Sequence, residues 1–137
     1  MLIRTPRSET EAVAVSRNAL MQSGLYPGEI REAVDKTSQR NREMIELDVA
    51  VIDTDGNERI FRDWLVDTPR GAAKLRHACE AAGVIERYEA GEIVASDFPG
   101  KRCRVRIGID KKRGYADRNF IEDYAAPDAV VNLRSAR

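Results

Sequence analysis

The chain has no surplus of charge of either sign: 23 lysines and arginines balance 23 aspartates and glutamates over 137 residues. A domain that attracts nucleic acid over its whole surface tends to a pI above about 9, and a sequence pI near 6.6 predicts weaker nonspecific steering than such a domain would show. Histidine occurs once, as His77, which leaves little room for a histidine metal cluster or imidazole acid–base chemistry. His77 falls on a predicted helix away from its apolar stripe, as a solvent-facing residue does. Cysteine occurs twice, as Cys79 and Cys103. Both take apolar positions of their predicted elements, and neither has a Cys or His neighbour at metal spacing. Buried, reduced thiols are expected, not a disulfide or a structural zinc. There is no P-loop, no Gly-x-Ser-x-Gly and no His-Glu-x-x-His, so no enzyme signature and no cofactor is implied. No apolar run reaches the length of a membrane span. The opening "MLIRTPRSETEAV" lacks the apolar core of a secretory signal, and a cytoplasmic protein is expected.

What is present is a segregation of charge hidden by the overall balance. Residues 101–118 hold eight basic side chains (Lys101, Arg102, Arg104, Arg106, Lys111, Lys112, Arg113, Arg118) against Asp110 and Asp117, a local charge of +6, so the rest of the chain carries −6. Such an asymmetry either directs a field toward an anionic partner or marks a solvated face.

The chain reads as one domain with terminal extensions: 1–22, 23–126 and 127–137. In the first, Ser8 and Glu11 fit a capping box before a helix, and "AVAV" reads alternatively as a short strand. "SGLYPG" (23–28) is turn chemistry. Strands are expected at about 29–36, 43–53 and 58–66. In the second, Ile45, Leu47, Val49 and Val51 alternate with Met44, Glu46, Asp48 and Ala50, and Asp55-Gly56 joins it to the third as a hairpin. Thr68 as N-cap and Pro69 at the first position open a helix with Ala72, Leu75, Cys79 and Ala82 on one stripe, ended by Gly83. A loop containing "SDFPG" leads to "KRCRVRIGID", where Cys103, Val105, Ile107 and Ile109 alternate with Arg102, Arg104 and Arg106. "RNFIEDY" is the fifth strand, and the tail after it is loosely ordered.

Three strands, a helix and two strands match the OB-fold, a five-stranded partly open barrel with a helix between strands 3 and 4. An α+β sheet with the helix on one face has the same element list. In OB-folds the faces of strands 2 and 3 and the loops 1–2 and 4–5 bind nucleic acid. Here the 1–2 loop supplies Lys36, Arg40 and Arg42, the 4–5 loop supplies Lys111, Lys112 and Arg113, and strand 4 supplies Arg102, Arg104 and Arg106. These are the phosphate candidates, and Tyr115 is the candidate for base stacking. Trp64 shares a strand face with Ile60 and Arg62, where core or helix packing is the first expectation and base stacking the alternative. Glu46 and Asp48 stand on the polar face of strand 2. With Asp53 and Asp55 they form the acidic pairs that a metal-dependent nuclease would need, although strand alternation and turn chemistry explain them more simply.

From "LYPGEIREAVDKTSQRN" through "MIEL", the Asp-Gly hairpin, "AAGV" (81–84), "PGKRCRV" (99–105) and "YADRNFI", residues 23–122 resemble a phage and prophage family of small OB-like proteins proposed to bind single-stranded DNA. The resemblance implies an OB-like fold and a role in replication or recombination. It also implies single-stranded DNA, and phage replication or recombination proteins, as partners, and leaves the oligomeric state open. The chain departs from the family at Gln39, Arg40 and Arg42, where glycines are usual, and "NLRSAR" replaces the acidic, aromatic-ended tail of many single-strand binders. The rival expectation is a protein-interaction module that uses the acidic strand 2 face.

Overall fold

The computed structural model describes residues 19–37, 39 and 42–127. The helix or strand expected within 1–22 and the tail at 127–137 lie outside the described residues, apart from 19–22 and Pro127. The fold is mainly β. Strands β1 (Gly24–Thr37), β2 (Glu43–Ile52), β3 (Glu58–Val66), β4 (Arg102–Asp110) and β5 (Arg118–Ala125) follow the expected order. Helices α1 (Ala72–Ala81) and α2 (Ile85–Glu89) and a 3-10 turn at Ala95–Asp97 lie between β3 and β4. All pairings are antiparallel, in one sheet of order β3-β2-β1-β4-β5. Among the described residues no helix is long and apolar enough to cross a membrane.

Period-two alternation builds the strands. Ile45, Leu47, Val49 and Val51 of β2 and Cys103, Val105 and Ile107 of β4 all point into the core, one buried face for each strand. The β2–β3 hairpin turns as its Asp-Gly signal predicts. Asp53 Oδ1 accepts the N–H groups of Asp55 and Asn57 at 3.0 and 2.8 Å, and Gly56 takes φ +82°, a left-handed conformation that glycine adopts without a Cβ penalty.

Four expectations need correction. β1 begins at Gly24, not near residue 29. "GLYPG" is tolerated in a strand because Pro27 pairs with β4 alone, the β2 pairing starting at Gly28, and a proline needs such a one-sided position. The helix starts at Ala72, not at Pro69, because Thr68–Gly71 first closes a turn in which Thr68 Oγ1 accepts the Gly71 N–H at 3.0 Å. The segment before β4 is not a plain loop. It holds α2 and the 3-10 turn, where Asp97 Oδ2 accepts the Val94 N–H at 3.0 Å and the neighbouring Phe98 is fully buried.

The fourth correction concerns Trp64. The inner positions of β3 are Phe61, Asp63 and Leu65, facing Val49, Leu47 and Ile45 of β2. Asp63 is only 8% exposed, and two partners make that burial tolerable. Tyr124 Oη donates to its Oδ2 at 2.7 Å, and Lys74 Nζ donates to its Oδ1 at 2.9 Å and to the Ile121 carbonyl at 2.9 Å. An inward Asp63 turns Trp64 outward.

These contacts also tie the sheet's two edges. Among the described residues β3 and β5 share no backbone ladder, yet Asp63 on β3 meets Tyr124 and the Ile121 carbonyl on β5 through Lys74 of α1. Nearer the start of both strands, Met21 exchanges two hydrogen bonds with the Asn119 side chain, and Arg59 donates to the Ala19 carbonyl at 2.7 Å. Burial first, and the adjacent Asp63 second, push the Tyr124 hydroxyl well above its ordinary pKa, so it remains a donor.

Tyr124→Phe should therefore destabilise the protein by about 1–2 kcal/mol, leaving Asp63 short of one donor. Asp63→Ala, which takes the acceptor from Tyr124 and leaves Lys74 only the Ile121 carbonyl, should cost about 3 kcal/mol. Urea denaturation measures both, and equal small losses would show that this bridge carries no load. Burial also pushes the Cys79 and Cys103 thiols up to about 11, so both should react with a thiol reagent at pH 8 only at the rate of unfolding.

Candidate nucleic-acid interface

The β4–β5 hairpin is the simplest element to build from its sequence. Asp110 ends β4 opposite Arg118, with 3.7 Å between their charged atoms. The Tyr115 N–H closes the turn onto the Lys112 carbonyl at 3.0 Å. Lys111, Lys112 and Arg113 project into solvent, and none has an ion-pair partner among the described residues. Tyr115 is 75% exposed, so its ring does not fold back onto the hairpin.

The hairpin base adjoins the first half of β3. Asp117, Arg118 and Asn119 share one shallow groove with Leu20, Arg59, Ile60 and Phe61. From there the outer face of β3 continues through Ile60, Arg62 and Trp64, with Ile60 58% and Trp64 44% exposed. At about 3.3 Å per residue, Trp64 lies roughly 13 Å along the strand from Ile60. Beyond it, Val66 faces Met44, which faces Lys36 on β1. One strip of sheet thus runs from the cationic hairpin, over an exposed isoleucine and tryptophan, to the strand ends flanking the 1–2 loop.

The strip's own charges are largely spent on one another. Lys36 Nζ lies 2.9 Å from Glu46, and Arg62 Nε lies 3.1 Å from Asp48 and 3.5 Å from Glu46. The Asp48 hydrogen bond chiefly holds the Arg62 guanidinium above its ordinary pKa. The two strand 2 carboxylates, Glu46 and Asp48, are thus met by cations already in place. Lys36 belongs to the end of β1 and not to a loop. Arg42 is exposed just before β2, and Arg40 lies outside the described residues.

The β4 arginines stand elsewhere. In the sheet β4 is separated from β3 by β1 and β2, so Arg102, Arg104 and Arg106 do not share the β3 strip. Arg102 and Arg106 are exposed, whereas Arg104 is half-buried and donates from Nε to the Ala126 carbonyl at 2.8 Å. Arg106 pairs in register with Asp123, which in turn lies 2.9 Å from His77 Nδ1. His77 is thus a half-exposed partner of a carboxylate. Sequence reasoning did not single out Ile60, and it favoured the core over a stacking surface for Trp64. The signal for them was the polar Asp63 between two apolar positions, which fixes the strand's register only once its partners are known.

Because the hairpin cations form no ion pair among the described residues, replacing Lys111, Lys112 and Arg113 together by alanine should change stability by less than about 0.5 kcal/mol. A thermal or urea melt tests this, and a clear loss of stability would mean that the hairpin is a structural strut.

A scan against protein-family models gives no match for this chain, and a search of curated proteins gives none.

Proposed function

We propose that the chain is an OB-like, non-enzymatic protein that binds single-stranded DNA with little sequence preference, along the outer face of β3 between the 4–5 hairpin and the 1–2 loop. The observation that carries the reading is an exposed tryptophan and isoleucine on one outer sheet face, continuous with a hairpin whose three cations have no ion-pair partner among the described residues. Sequence-tolerant single-strand binding needs this combination, flat side chains for bases beside cations for phosphates. The strand order supports the OB-like part of the reading. β1 lies between β2 and β4, and the edges β3 and β5, bridged by Asp63, Lys74 and Tyr124, approach as the last seam of a small barrel would.

A place in phage replication or recombination rests on the sequence resemblance. The rival, a protein-interaction module using the acidic strand 2 face, loses force because Glu46 and Asp48 already bind Lys36 and Arg62. In this site Trp64 and Tyr115 stack on bases, while Lys111, Lys112 and Arg113, with Arg40 and Arg42 of the 1–2 loop, follow the phosphates.

The single tryptophan makes the test direct. Adding oligo-dT should quench Trp64 fluorescence. If about four cations meet phosphates, log K against log[salt] should fall with a slope of roughly −3. The triple alanine variant of the hairpin should flatten that slope. Trp64→Ala and Tyr115→Ala should each lower affinity by roughly 1–3 kcal/mol at nearly unchanged slope, since stacking releases no counterions. No binding at low salt, or binding indifferent to all three changes, would sink the proposal.

A further inference from the structure

The outer face of the sheet carries a second concave surface, across β2, β1 and β4. It is a groove of about 640 Å³, within the range of roughly 300–1,000 Å³ usual for ligand sites. Its floor is aliphatic. Leu25 and Pro27 of β1 and Ala50 and Ile52 of β2 all occupy outward positions, where a solvated antiparallel face would place polar side chains. Leu25 and Ile52 are exposed, and Ala50 is buried at the bottom although it points away from the core.

The rim is cationic. Among the described residues Arg31, Arg102 and Arg104 line it against a single carboxylate, Glu29. Arg31 already holds Glu29 at 3.0 Å and also binds Glu58. Arg104 spends its Nε on the Ala126 carbonyl, which fastens the chain after β5, with Pro127, at one end of the groove. Arg102 is exposed and has no ion-pair partner among the described residues.

We propose that this groove is a docking site for an extended, acidic peptide of a partner protein, its aliphatic side chains on Leu25, Ala50 and Ile52 and its carboxylates on Arg102 and the free guanidinium nitrogens of Arg104. Charge and composition together select that occupant over a nucleic acid. Among the described residues no aromatic side chain lines the groove, so bases would find no ring to stack on. An apolar trough edged by arginines instead suits carboxylates alternating with leucine-like residues. The inference goes beyond the DNA-binding reading and does not depend on it. It gives the cations of β4 a task separate from those of the 4–5 hairpin.

The test uses the full chain and a fluorescein-labelled peptide of alternating aspartate and leucine, with an aspartate–serine peptide as control. Anisotropy should show binding of the leucine peptide alone. Arg102→Glu and Ile52→Ser should each weaken it by roughly tenfold or more, while the triple alanine hairpin variant binds it normally. Ile52→Ser should keep the parent's affinity for oligo-dT. Leu25→Ser serves as a second floor variant should Ile52→Ser melt early. The proposal is overturned if the aspartate–serine peptide binds equally, or if peptide binding is lost with the hairpin cations. It is also overturned if Arg102→Glu weakens oligo-dT more than peptide, which would make the groove a nucleic-acid surface. Peptide binding seen only after removal of residues 128–137 would assign the groove to the chain's own tail and equally overturn it.

Discussion

One strand with two partners sets the geometry of the molecule. Residues 24–29 of β1 pair with β4 and residues 28–37 with β2, overlapping at Gly28 and Glu29. A strand that hands over from one neighbour to the other, and that carries a register shift between Ile30 and Glu32, must bend and twist at the handover. The two hairpins hung from it therefore curl toward each other instead of lying flat. That curl brings Asp63 at one edge within reach of Tyr124 at the other, and gives α1 a place to send Lys74 between them. Leu75, Ala78 and Cys79 of α1 are buried beneath the same seam.

The seam explains why a tryptophan is left in solvent. A carboxylate on the inner face of β3 is costly unless partnered. Here the partners come from the helix and from β5, so the inward register is held and Trp64 and Ile60 fall outside. A stabilising contact inside the sheet and a candidate binding surface outside it are two faces of the same strand.

Charge is distributed by a similar division. On the outer faces of β1, β2 and β3, and around the helices, opposite charges pair locally: Lys36 with Glu46, Arg62 with Asp48, Arg31 with Glu29, Arg76 with Glu89, Arg87 with Asp97. Lys101, Arg102, Arg106, Lys111, Lys112 and Arg113 have no such partner among the described residues. The neutrality of the chain is therefore an average over a part whose charges pair locally and a part whose cations do not, and the outward positive field comes from the second.

The strands β2 and β3, their Asp-Gly turn, the arginine face of β4 and the basic 4–5 hairpin were legible in the sequence, because each follows from alternation or turn chemistry over a few neighbouring residues. The stripe of Leu75, Cys79 and Ala82 was legible for the same reason. The sequence by itself could not determine which face of β3 meets solvent, since that depends on Lys74 and Tyr124, 11 and 61 residues from Asp63. Nor could it separate the β4 arginines from the β3 strip, because strand order is set by which edges β1 pairs with and not by spacing along the chain. Phe98 disappeared into an apparent loop for a related reason: a single aromatic after a 3-10 turn has no period to betray it, and only the packing of that turn against β1 decides that it is core.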